Sequence, residues 1–283
     1  MARCHCKLAV NRDTLPSFFH FALGTMTDST SSAFDIQNPE SDSPLLLVVD
    51  HASRHIPPNY DNLGLADPAV LHRHIAWDIG IEDVTRRLSE KIGATAIYAR
   101  FSRLLLDANR YPDDPASTPV ISDGVEIPAN REMPEDERAR RVENWFTPYQ
   151  GAITGLIDHK LEHHALPLLV SMHSFTPVMH EFERPWHIGV LWDEDPRIAL
   201  PLLKILRQNH SLVVGDNEPY SARDPLGYTM NEHGMKRGLP NVAIEIRQDL
   251  IDTHQGAEKW ASIMADALMR LDPVTGWAKE ADA

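Results

Sequence analysis

Cysteine is nearly missing from this sequence: 283 residues contain two, Cys4 and Cys6. A disulfide framework is thereby excluded. Two thiols with His5 between them in a short tail also make a poor closed metal site, since a structural ion wants four ligands. Low cysteine use fits a reduced, cytoplasmic protein. Basic residues are in deficit as well, with 27 Lys and Arg against 41 Asp and Glu and a formal charge of −14. A nucleic-acid backbone or an anionic membrane would meet general repulsion, and neither is expected as a partner. Long hydrophobic runs are absent. The longest, LLLVV at 45–49, falls far short of the roughly 18 to 20 residues that span a bilayer and suits a core strand. Residues 16–23, interrupted by His20, are too short for a secretory core.

What is present is ordinary globular material, 42% hydrophobic and 24% charged. The stretch MTDSTSSAFDIQNPESDSP, opened by Met26 as an alternative first residue, is polar and rich in Ser and Asp. A disordered extension is therefore expected over 1–43, and a single catalytic α/β domain over 44–283. Short apolar runs at 45–50, 94–100, 104–108, 168–172, 188–192, 212–215 and 242–246 read as strands buried on both faces. Helical periodicity marks 81–92, stopped by Gly93, together with 135–163, 197–208 and 255–271. Within the second, Thr147-Pro148-Tyr149-Gln150 reads as a capping box with proline at the first helical position, which predicts a break or kink. Strands alternating with helices predict a three-layer α/β/α fold around a mixed, mostly parallel sheet.

In such sheets ligands sit beyond the carboxyl ends of the strands. Four expected strands end in chemistry-bearing groups: LLLVVDHASRH offers Asp50, His51 and His55; LLLDANR offers Asp107, Asn109 and Arg110; LLVSMHSF offers His173; and NVAIEIRQD offers Glu245. Each alone is as well explained by a local hydrogen bond or ion pair. Together they imply a shared site, because buried imidazoles and carboxylates must be paired or metal-bound to offset desolvation. Imidazoles with a carboxylate form the ligand set of catalytic zinc, which activates a water for amide hydrolysis when a general base stands near. Glu245 is the candidate base.

Three of these pieces, DANR at 107–110, SMHSF at 171–175 and EIRQD at 245–249, resemble the zinc carboxypeptidase superfamily. Over 45–252 the sequence more closely resembles the N-formylglutamate amidohydrolase family, through DHASRHIP, AWDIG, FSRLLLDANR, SMHSF and GDNEPYS. The last resembles a predicted subgroup of that family. The resemblance implies a carboxypeptidase-like fold, one Zn²⁺ ion, and a small carboxylated amide as substrate, with N-formylglutamate yielding formate and glutamate. His51 and His173 then correspond to the imidazole ligands and Glu245 to the catalytic glutamate. Asp107 corresponds to the carboxylate that orients a ligand imidazole, and Asn109 and Arg110 to the substrate-carboxylate pair. Arg103 is expected to supply a second cation, for another carboxylate or for the oxyanion. One position departs from the superfamily: a glutamate is expected three residues after the first His, and Arg54 stands there. The carboxylate ligand must come from elsewhere. Asp78 is the choice, with Asp50 and His55 as rivals and a helix N-cap as its structural alternative. Tyr220, Tyr228 and His233, on a Pro- and Gly-rich stretch, could reach a substrate from a closing loop. Rival functions are a peptidase or deacylase acting on a larger carboxylated amide, and a non-catalytic metal-binding scaffold. A homo-oligomer is left open.

Overall fold

The computed structural model describes residues 32–163, 166–222 and 227–271. The Cys4/Cys6 pair and the polar segment up to residue 31 lie outside the described residues. The described residues fall within one compact unit, 31–283.

Seven strands form the central sheet: β1 (Phe34–Gln37), β2 (Leu45–Val49), β3 (Thr95–Ala99), β4 (Leu168–Phe175), β5 (Ile188–Leu191), β6 (Val214–Asp216) and β7 (Asn241–Arg247), in the order β1-β3-β2-β4-β7-β5-β6. The pairs β2/β3, β2/β4, β4/β7 and β5/β6 are parallel, whereas β1/β3 and β5/β7 are antiparallel. Helices α1 (Ile81–Ile92), α4 (Pro196–Leu206) and α5 (His254–Met269) bury Val84, Leu202 and Trp260 with Leu47, Val170 and Ile244 on one face. Helix α3 (Thr147–Glu162), preceded by α2 (Glu135–Arg141), covers the other, where the Tyr149 hydroxyl donates to Asp50. This is the expected three-layer α/β/α arrangement with a mixed, mostly parallel sheet. Among the described residues no helix is long and apolar enough to cross a membrane.

Three local expectations are corrected. Strand β1 lies inside 1–43, so the folded chain begins upstream of residue 44. It is an edge strand, paired from Phe34 with Ala99 to Gln37 with Ala96, and is half polar. An edge strand needs no hydrophobic run, so composition hides it. The run at 104–108 is no strand. Leu104, Leu105 and Leu106 are fully buried, yet the segment is irregular and lies off the sheet. Three of its carbonyls are satisfied by side chains instead, Asn130 donating to Leu104 at 2.9 Å, Arg141 to Leu105 at 2.9 Å and Gln150 to Ala108 at 2.7 Å, while its amides bond the Ser102 and Ser117 carbonyls. Lastly, Pro148 does not break the helix. Thr147 is itself helical (φ −58, ψ −45), and a π turn at Val142–Phe146 joins α2 to α3. The longer turn accommodates a proline that has no N–H to give. Gln150, expected to cap, bonds Ala108 instead.

Candidate metal centre

The site is assembled on the sheet face covered by α3. Strand β2 delivers Asp50 and His51 just past its carboxyl end, and the Asp78 amide donates to the His51 carbonyl at 2.9 Å, which ties the next turn to that strand end. The turn then passes through Gly80 at φ +81, where a Cβ would stand 2.2 Å from the Ile251 carbonyl oxygen. Only glycine fits both the conformation and the space. Glu245 of β7 is in register with His173 of β4, and residues paired in register project to the same face.

His51, Asp78 and His173 converge, each offering one ligand atom, with all three atoms within 4.8 Å of one another. The two rings lie 5.1 Å apart, centroid to centroid. His173 Nδ1 stands 2.9 Å from Asp78 Oδ2, and His51 Nδ1 3.5 Å from the same oxygen. His51 Nδ1 is buried without a hydrogen-bond partner, as is Glu245 Oε2. Unpartnered buried polar atoms are rare, and two of them in one cluster mark a place where something binds. Two imidazole nitrogens and one carboxylate leave a tetrahedral position free, the donor set of a catalytic zinc site.

The surroundings fix the ligands. His51 Nε2 bonds Asp107 Oδ1 at 2.7 Å, and Arg103 donates to Asp107 Oδ2 at 2.8 and 3.1 Å and reaches Asp78 Oδ1 at 3.4 Å. His173 Nε2 pairs with Ser171 Oγ at 2.9 Å, with Asp50 Oδ2 at 3.7 Å. Asp50 itself accepts from Tyr149 at 2.9 Å and from Thr229 Oγ1 at 2.8 Å. Burial and Arg103 pull the His51 pKa down, but Asp107 and Asp78 outweigh them and hold it at about 9. Burial raises Asp78, yet His51 and His173 bring it below the ordinary carboxylate range. Burial likewise opposes ionisation of Asp107, and Arg103 and His51 overcome it. Glu245 goes the other way, pushed up to about 7 by burial against the attraction of His173.

The remaining expected residues separate. Asp78 does not cap α1; Gly80 occupies that position and makes no side-chain cap. His55 is exposed and joins the structure through its backbone, and Asp50 sits behind His173, outside the three-residue cluster. Asn109 turns to the chain rather than the cluster, its Oδ1 accepting from the Thr229 amide at 3.0 Å. Arg110 is half-buried and has no ion pair among the described residues. Tyr228 stacks edge-on with Phe146 and Tyr111 at 4.8 and 5.0 Å. His233 bonds Gln150 at 2.7 Å. Tyr220 meets Arg184 at 3.0 Å. Sequence reasoning missed Ser171, Tyr149 and Thr229. Ser171 alone carried a signal, since it lies two residues before His173 and so shares its face of the strand.

A buried His/Asp/His cluster that could hold a metal ion thus lies beside a buried glutamate at the carboxyl-end side of a mostly parallel sheet. The profile of the N-formylglutamate amidohydrolase family matches residues 43–252, and the chain belongs to that family, whose members hydrolyse amide C–N bonds. A gene product of Agrobacterium tumefaciens, known from its crystal structure, is 37% identical; the match covers 85% of this chain and 95% of that one, with a TM-score of 0.82. An N-formylglutamate amidohydrolase from Ralstonia eutropha shares the fold at 18% identity, covering 87% of this chain and 98% of that one, with a TM-score of 0.61. A search of curated proteins gave no match.

Proposed function

We propose that the chain is a zinc-dependent amidohydrolase that removes a small acyl group, formyl in the first instance, from an N-acylated carboxylic amino acid of the N-formylglutamate type. The observation that carries this reading is the pair of buried, unpartnered atoms, His51 Nδ1 and Glu245 Oε2, at one cluster. His51, Asp78 and His173 would hold the ion, and zinc bound there would acidify a water and polarise the amide carbonyl. Glu245 accepts the proton of the attacking water and returns it to the leaving nitrogen. A pKa raised to about 7 by burial suits a group that must both take and give a proton near neutrality. Asp107 fixes the His51 ring through Nε2, so that Nδ1 faces the cluster. Arg103, anchored by Asp107 and Asp78 with its side chain 31% exposed, is the donor for the developing oxyanion. Arg110 takes the substrate carboxylate, for which a planar guanidinium is suited.

Metal analysis of the purified protein, paired with turnover of N-formylglutamate, N-acetylglutamate and a glutamyl peptide, tests the reading. One zinc per chain and chelator-sensitive release of formate are expected. Release unaffected by chelation would overturn the zinc assignment, and preference for the peptide would move the substrate to a larger amide.

A further inference from the structure

Beyond the end of β4 the chain makes a hairpin of two two-residue strands, Val178–Met179 and Phe182–Glu183, and returns with Arg184. Arg184 is only 7% exposed. Its Nη1 donates to the Thr176 carbonyl at 3.3 Å, the Thr176 hydroxyl at 3.2 Å and the Tyr220 hydroxyl at 3.0 Å, while Nη2 lies 2.8 Å from Met179 Sδ. The guanidinium also stands 4.8 Å from the Tyr220 ring centre and 5.8 Å from that of Phe175. No carboxylate among the described residues comes within ion-pair distance of it. The contrast with Arg141 is direct: that buried guanidinium has Glu137 at 2.9 Å. A buried charge must find compensation, and neutral acceptors and ring faces stabilise a cation without neutralising it. The counter-charge is therefore open to a ligand.

Its place in the fold says which ligand. Thr176 directly follows β4, three residues past His173, or about 10 Å along an extended chain. Arg247, two residues past Glu245, donates to the Arg184 carbonyl at 3.3 Å. The Tyr220 hydroxyl that meets Arg184 also feels Glu245, which adds to burial in pushing its pKa up. The unpaired cation thus borders the same cluster, within the span of a small extended molecule. We propose that Arg184, with Tyr220 and Thr176, forms a second anion subsite that takes a carboxylate of the substrate in addition to the one at Arg110. The subsite rests on the amidohydrolase reading only for the identity of its occupant.

The test is calorimetric titration of the zinc-loaded protein with glutarate, a dianion, and with its monoamide, a monoanion of nearly the same shape. Wild type should bind glutarate the more tightly. Arg184→Met should weaken glutarate roughly 10-fold or more, the worth of a charge-assisted hydrogen bond, and change the monoamide less than about 2-fold. Arg184→Lys, which keeps the charge and the stem, should lose part of the glutarate affinity and serves if the methionine variant does not fold. Wild type that binds both probes alike, or variants that weaken both equally, would overturn the subsite and leave Arg184 as a hairpin anchor. Formate release scores the amidohydrolase reading separately: its failure leaves the binding difference intact, and failure of the subsite leaves turnover intact.

Discussion

At the scale of single residues the centre divides into groups that would touch the reacting atoms and groups that hold them. Glu245 is in the first class. Glu245→Gln keeps the volume and removes the proton acceptor, so kcat should fall by about 10²–10⁴ while zinc content, read by atomic emission, stays at the wild-type level. Loss of zinc together with activity would make Glu245 a ligand instead. Asp107 is in the second class. Its bonds to His51 and Arg103 are the reason Nδ1 is left facing the cluster. Asp107→Asn should weaken zinc roughly 10- to 100-fold in a chelator competition, and unchanged affinity would leave Asp107 as a partner of Arg103 alone.

Among elements, α3 carries an exposed test of buried charge. Lys160, only 4% exposed, donates to the Ser41 and Ser43 carbonyls at 3.1 and 2.6 Å, and burial pushes its pKa from 10.5 down to about 8. A folded pKa below the unfolded one means that this group's share of stability is present above pH 10.5 and is lost as the pH falls toward 8. Relative to wild type, Lys160→Met should gain roughly 3 kcal/mol at pH 7 compared with pH 10.5, measured by urea unfolding at both values. A pH-independent difference would show that the ammonium is solvated in the fold. Elements also show what sequence can carry. The strands that became β2, β4 and β7 were legible because a run buried on both faces has few alternatives. The same logic misread 104–108, since hydrophobicity reports burial and says nothing of which groups satisfy the backbone. Three of its carbonyls are bonded by Asn130, Arg141 and Gln150, which no local pattern connects to it. Strand β1 failed for the opposite reason, being ordered yet half polar.

For the whole molecule, the cluster adds side-chain links among the ends of β2 and β4 and the turn before α1, which the sheet ladder and the Asp78 amide already tie together. In the metal-free protein His51 is held at about 9, above its ordinary 6.5, by Asp107 and Asp78 against burial and Arg103. A raised folded pKa gives stability that is complete below pH 6.5 and lost as the pH climbs through 9. With an ion bound on the proposed ligands, His51 would have no such proton to lose. The melting temperatures of loaded and chelated protein should therefore diverge as the pH rises from 6.5 to 9; a constant gap would place the proton elsewhere. The meeting of His51 and His173 was foreseeable from strand ends, because β/α topology sends those positions to one edge, whereas Asp78, which ends no strand, followed only from the family resemblance. Arg184 was not: only the return of the hairpin under Tyr220 brings its charge to that edge.

The in-register pairing of β4 with β7 has a consequence for how the chain can vary. Because Glu245 and His173 face each other as one pair of the ladder, deleting or inserting a single residue in either strand ahead of that pair would turn one of them to the opposite face, under α1, α4 and α5. A length change in the flanking loops leaves that pairing intact, whereas a one-residue change inside either strand does not.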